Sequence, residues 1–149
     1  MSEDEEVKIL LVEDDEGHAD LMRMNLKRGG LANEVLHFSG GRRVMEFLEQ
    51  RQGRMSGDKY MMILDINMPG MDGHRVLERI KGNENTRMIP VIMLTTAEDE
   101  REVARCYRLG CNLYLTKPVS YEEFSAAIHQ LGLFIRQAKF PGLSVLRAA

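Results

Sequence analysis

Short apolar runs alternate with stretches of helical periodicity along most of this chain. Lys8–Val12, Asn33–Phe38, Tyr60–Leu64, Val91–Thr95 and Leu113–Thr116 are each four to six residues long, mostly apolar, and bounded by acids, glycine or proline. That is the pattern of buried strands. Between them, apolar residues recur every three to four positions. The spacing predicts helix one over Glu16–Arg28, with Leu21, Met22, Met24 and Leu26 apolar and Gly29-Gly30 as its stop. Helix two carries Val44, Phe47 and Leu48, and a polar loop from Arg51 to Lys59 follows it. Helix three runs from Gly73 to Lys81 and ends at Gly82-Asn83. Helix four spans Glu98–Leu109, with acids at its positive end, Arg105 and Arg108 toward its negative end, and Gly110 as cap. Helix five starts at Ser120, an N-cap with Glu123 three residues on. Tyr121, Phe124, Ala127, Ile128, Leu131 and Ile135 form its inward stripe, and the helix is expected to end near Lys139.

Five strand–helix units with short connections predict an α/β fold with a parallel sheet covered on both faces by five helices. Right-handed crossovers leave few topologies, and the flavodoxin-like doubly wound order 2-1-3-4-5 is the one expected. In that order strands one and three are neighbours, and their carboxyl ends form the switch point where such sheets place their ligands.

The polar residues at those ends then matter. Glu13-Asp14-Asp15 follows strand one, Asp65 follows strand three, Thr95 ends strand four and Lys117 follows strand five. Carboxylates a few ångströms apart raise one another's pKa unless a cation lies between them. Mg²⁺ suits such a place, being hard, octahedral and oxygen-seeking. Asp14 and Asp65 are the expected direct ligands, with the main-chain carbonyl of Asn67 as a third and Glu13 acting through water. Asp15 is assigned to the N-cap of helix one. A carboxylate held beside a metal can attack phosphorus and form an acyl phosphate. The Lys117 ammonium would supply positive charge to that reaction, with the Thr95 hydroxyl and the Thr96 N–H as further donors. Each signal has a plainer reading: acids before a helix cap it, an Asp before a turn shapes the turn, and Pro118 after a strand is punctuation. Their coincidence at the ends of three different strands is what capping leaves unexplained.

Val12 to Asp15, the run from Asp65 through Met68, Pro69 and Gly70 to Gly73, the run from Pro90 to Thr96, and Lys117-Pro118 occur in this order. Together they resemble the receiver domain of two-component response regulators over about residues 7–138. The resemblance implies that Asp65 is the phosphoacceptor, charged by the phosphohistidine of a histidine kinase. It also implies that Glu13 and Asp14 form the acidic pocket, that Thr95 is the switch hydroxyl, and that Lys117 is the motif lysine. Tyr114 falls where the family carries its switch aromatic, which turns inward as Thr95 moves toward the phosphoryl group. The position after Thr95, often small in the family, is Thr96, whose bulk is expected to shield the acyl phosphate from water. The stretch from Val12 to Met22, with the long carboxyl-terminal region, is similar to single-domain regulators paired with bacterial phytochrome kinases. That subfamily implies a homodimer through helix four, strand five and helix five.

Length, charge and composition narrow the rest. At 149 residues with 44% hydrophobic residues, the chain fits one buried core. A net charge of −3 gives no nucleic-acid footprint. Two cysteines, Cys106 and Cys111, make no disulfide framework or zinc spacing. His18, His37, His74 and His129 fall in different elements without ligand spacing. No nucleotide-binding glycine loop occurs. No apolar run approaches the ~20 residues of a membrane span, and the acidic start lacks the basic-then-apolar order of a secretory signal. A cytoplasmic protein is expected. Residues 1–6 are expected to form an acidic disordered tail, 7–139 the receiver, and 140–149 an extension for dimerisation or docking, or a frayed end. The functional expectation is a stand-alone switch acting through partner binding or dimerisation, catalysing only its own phosphorylation and dephosphorylation. The alternatives are a phosphorelay intermediate that passes the group to a histidine phosphotransfer protein, and an aspartate-nucleophile phosphatase. The phosphatase class places a second acid two residues after its nucleophile, where this chain has Asn67.

Overall fold

The computed structural model describes residues 7–51, 59–96 and 99–138. Its elements alternate as β1 (Val7–Val12), α1 (Glu16–Arg28), β2 (Val35–Phe38), α2 (Gly41–Gln50), β3 (Lys59–Leu64), α3 (Gly73–Gly82), β4 (Val91–Thr95), α4 (Glu100–Leu109), β5 (Leu113–Thr116) and α5 (Tyr121–Gln137). All four strand pairings are parallel, in the order β2-β1-β3-β4-β5. The flavodoxin-like expectation is met. The acidic residues 1–6, the loop at 52–58, Glu98 and the extension at 140–149 lie outside the described residues.

The central strands are buried on both faces because alternate side chains enter two separate cores. Leu10, Val12, Met62, Leu64, Val91 and Met93 pack under α2, α3 and α4 with Val44, Leu48, Val76, Leu77 and Cys106. Ile9, Leu11, Met61, Ile63, Ile92 and Leu94 pack under α1 and α5 with Met22, Leu26, Phe124, Ile128 and Leu131. The last two helices of this list are pressed close together: a Cβ on Gly29 would lie 2.5 Å from the His129 carbonyl, and one on Gly132 2.8 Å from that of Leu26. No described helix is long and apolar enough to cross a membrane.

Helix ends follow their sequence signals. Asp15, Asp72, Asp99 and Ser120 accept from backbone N–H groups in the first turns of α1, α3, α4 and α5, satisfying donors that a helix start leaves without partners. Gly110 ends α4 at φ +109°, a left-handed value that glycine adopts without a Cβ penalty.

Two sequence expectations need correction. β2 begins at Val35 rather than Asn33, because Asn33 turns its amide to the Val7 carbonyl at 2.7 Å and acts as a tie. Tyr121 is 67% exposed, so the inward stripe of α5 starts at Phe124. α5 runs to Gln137, close to its expected end, and Lys139 lies outside the described residues. Along α1, Met24 is 44% exposed and the polar Asn25 is buried, donating to the Leu21 carbonyl at 3.0 Å.

Candidate functional site

β1 and β3 run in register from Val7↔Lys59 to Val12↔Leu64, so both stop at the same level. Beyond that level the Asp65 N–H donates to the Val12 carbonyl at 3.2 Å, which ties the two acid-bearing ends together. The N–H of Glu13 is in turn held by the Phe38 carbonyl of β2 at 3.0 Å. On the other side, β4 and β5 end together at Thr95↔Thr116, and the Lys117 N–H donates to the Thr95 carbonyl at 2.7 Å. Four strand ends therefore deliver Glu13, Asp65, Thr95 and Lys117 to one rim.

The side chains converge there. Glu13, Asp14 and Asp65 each offer a carboxylate oxygen such that the three lie within 4.8 Å of one another. The Lys117 ammonium donates to Glu13 Oε1 at 2.6 Å and lies 3.4 Å from Asp65 Oδ2. Glu13, Asp65, Thr95 and Lys117 are buried, whereas Asp14 is exposed and opens the group to solvent. Burial pushes the Glu13 carboxyl above the ordinary glutamate value, against the downward pull of Lys117. Burial alone would lower Lys117, but its bonds to Glu13 and Asp65 outweigh that and hold it above the ordinary lysine value. Lys117 is therefore a fixed positive charge at neutral pH.

The loop after Asp65 is tightly wound. Both Met68 and Gly73 donate their N–H groups to the Ile66 carbonyl, at 3.1 and 3.0 Å. The Asn67 N–H donates to Asp65 Oδ1 at 3.2 Å, fixing the carboxylate's orientation. The Asn67 side-chain amide stands 3.5 Å from both the Thr95 and the Thr96 hydroxyl oxygens, at the long limit of a hydrogen bond. Gly70 supplies the loop's left-handed residue at φ +80°. Gly73 brings α3 hard against the strand end: a Cβ there would overlap the Asp65 carbonyl oxygen and come within 2.7 Å of Ile66 Cα.

The structure thus gathers Glu13, Asp14, Asp65, Thr95 and Lys117 as the sequence reading expected, and gives Asp15 its capping role through His18 N at 3.0 Å. Tyr114 lies half-buried on β5 opposite Met93, packed on the α2–α4 core, and burial, with Cys106, Glu102, Cys111 and the Asp65 carboxylate acting on it, pushes its phenol up to about 12. Sequence reasoning missed three contributors. The Asn67 side chain was passed over in favour of its carbonyl, the steric need at Gly73 has no signature beyond the residue itself, and His37 was weighed only as a metal ligand. In the fold the His37 ring Nε2 lies 2.8 Å from the Glu13 carbonyl oxygen.

Comparison with known proteins agrees with this geometry. The family model described as "Response regulator receiver domain" matches residues 9–129. A response regulator receiver domain from Rhodospirillum rubrum is 44% identical with a TM-score of 0.84, over 90% of this chain and 96% of that one. The response regulator Rcp1 of Synechocystis is 38% identical over 73% of this chain and 75% of its own length. The structure of the Mn(2+)-bound form of Rcp1 gives a TM-score of 0.79 at 32% identity, over 92% of this chain and 99% of that one. A phosphorylated cyanobacterial phytochrome response regulator, RcpA, is 28% identical with a TM-score of 0.80, over 91% of this chain and 98% of that one.

Proposed function

The chain belongs to the response regulator receiver domain family, and from that premise we propose that it is a phosphorylation switch in which Asp65 accepts a phosphoryl group from a histidine kinase. The observation that carries this reading is the meeting of three carboxylates and one ammonium at the ends of β1, β3 and β5. An Asp65 oxygen attacks phosphorus, the bond from phosphorus to the donor histidine nitrogen breaks, and that nitrogen keeps the electron pair and takes up a proton. Asp65 is already oriented for attack by the Asn67 N–H. Lys117 offsets the charge that gathers between two anions.

The donor set fits a hard divalent cation. Asp14, Asp65 and the Asn67 carbonyl are the proposed ligands of Mg²⁺. Glu13 is proposed to act through water, its Oε1 being drawn to the Lys117 ammonium at 2.6 Å. When bound there, the cation would supply positive charge to the phosphoryl oxygens. Thr95 is the switch hydroxyl and Tyr114 the switch aromatic, the added charge favouring one of two packings of the α4–β5–α5 face.

α4 carries the exposed apolar residue Tyr107, and α5 carries Tyr121 and Phe134, which supports partner binding or a homodimer through these elements. The likeness to the cyanobacterial phytochrome response regulator RcpA supports a bacterial phytochrome as the cognate kinase. Asn67 at the position of a second acid speaks against a phosphatase, so the chain acts only on its own acyl phosphate.

The test is incubation with acetyl phosphate and Mg²⁺, read by intact mass and by sedimentation. The parent gains one phosphoryl group in a Mg²⁺-dependent way and shifts its assembly state, while Asp65→Asn does neither. Equal phosphorylation of Asp65→Asn would refute the assignment.

A further inference from the structure

The exposed acid of the cluster, Asp14, sits between two peptide planes that are each pinned by a side chain. The plane joining Glu13 to Asp14 includes the Glu13 carbonyl, whose oxygen lies 2.8 Å from His37 Nε2. The plane joining Asp14 to Asp15 includes the Asp15 N–H, which donates to Glu13 Oε2 at 3.2 Å. Peptide planes are rigid, so fixing the two that flank a Cα fixes the φ and ψ of that residue. The sheet cannot do this alone, because the β1–β2 pairing stops at Val12↔Phe38. A carbonyl only accepts hydrogen bonds, so the His37 nitrogen facing it must carry the proton.

We propose that His37 is a positioning residue for cation binding: its Nε2–H clamps the Glu13–Asp14 peptide and so presets the direction in which the Asp14 side chain leaves the backbone. This deepens the metal-binding reading above and rests on it. Asp14 is exposed, and with its backbone held from behind only its side-chain torsions remain to be settled when the cation binds. His37 touches neither cation nor phosphoryl group. It acts through the backbone, which is why ligand spacing in the sequence does not reveal it.

The metal-free parent gives the first test, independent of any variant. Nitrogen NMR of the imidazoles should find His37 as the Nε2–H tautomer, and the Nδ1–H form would overturn the proposal. The second test is Mn²⁺ affinity by electron paramagnetic resonance for the parent, His37→Leu, His37→Gln and Asp14→Asn. Removal of the clamp should weaken binding roughly tenfold, the scale of losses when an outer partner of a ligand is removed. Glutamine places an N–H near the same point and should restore most of the affinity. At saturating Mn²⁺ the phosphorylation rate of His37→Leu should match the parent, an outcome that general loosening of the fold would not give. Parental affinity in His37→Leu, or equal weakening in His37→Gln, overturns the clamp while leaving the metal site standing. Failure of the parent itself to bind Mn²⁺ overturns both.

Discussion

Lys117 leans toward Glu13 rather than toward Asp65: its Nζ is 2.6 Å from one carboxylate and 3.4 Å from the other. A buried ion pair is worth little against a well-packed apolar pair, but removing one member strands the other. Here two carboxylates would be stranded together. Lys117→Met should therefore destabilise the metal-free protein by on the order of 3 kcal/mol in urea unfolding at neutral pH, besides losing phosphorylation. The double variant Glu13→Gln with Lys117→Met should recover a large part of that loss. Additive losses would show that Lys117 does not stabilise the fold through its pairing with Glu13.

Gly73 presses on the proposed phosphoacceptor from the other side, its missing Cβ leaving room for the Asp65 carbonyl. The neighbours are main-chain atoms and cannot swing away. Gly73→Ala should cost about 1–3 kcal/mol, the range of an overpacked core site, and slow phosphorylation by displacing the Asp65 strand end. Gly70→Ala provides the contrast. A Cβ at Gly70 has nothing within 4 Å, but φ is +80°, so it should cost only about 1 kcal/mol of left-handed strain and leave the phosphorylation rate near parental. Stopped urea melts and phosphorylation time courses on both variants separate steric displacement from backbone strain.

These contacts show what the sequence could and could not convey. Strand order and the meeting of Glu13, Asp65 and Lys117 were legible because two simple constraints sufficed: apolar runs must be buried, and crossovers are right-handed. Helix starts were legible at Asp15 and Ser120, since a cap is a local affair of a few residues. Asn33, Tyr121 and His37 were not. Each finds its partner or its exposure through residues far along the chain, as in the tie from Asn33 to Val7. Apolar periodicity carries no information about which histidine will face which carbonyl.

Thr96 stands exposed beside the rim, its hydroxyl oxygen 3.5 Å from the Asn67 amide nitrogen. On the proposed function a residue there would intrude on the path of water toward an acyl phosphate on Asp65, and excluding water slows hydrolysis of a reactive intermediate. Thr96→Ala should shorten the lifetime of the phosphorylated form several-fold, measured as loss of the phosphoryl mass after the phosphodonor is removed. The fold should be unaffected, because the hydroxyl contact is weak. Equal decay of parent and variant would remove any shielding role.

Cys106 and Cys111 lie at the far end of α4, buried, and neither is in a disulfide. Burial pushes both thiols from the ordinary value of 9.0 to about 11. At pH 8 that leaves roughly a hundredfold less thiolate than in an unfolded chain, and the thiolate is the reactive form. Ellman's reagent should therefore label the native protein far more slowly than the urea-unfolded protein. The sign of the stability effect follows from the same shift. Above pH 9 the unfolded chain releases thiol protons that the folded chain retains, so the unfolded state binds fewer protons and stability falls as pH rises toward 11. The double variant Cys106→Ala with Cys111→Ala should lose that slope in urea melts taken between pH 8 and 10, below the ordinary value of 10.0 at which the raised Tyr114 phenol starts to add its own. Rapid native labelling, or a slope below pH 10 that survives in the double variant, would contradict the burial of these thiols as its cause.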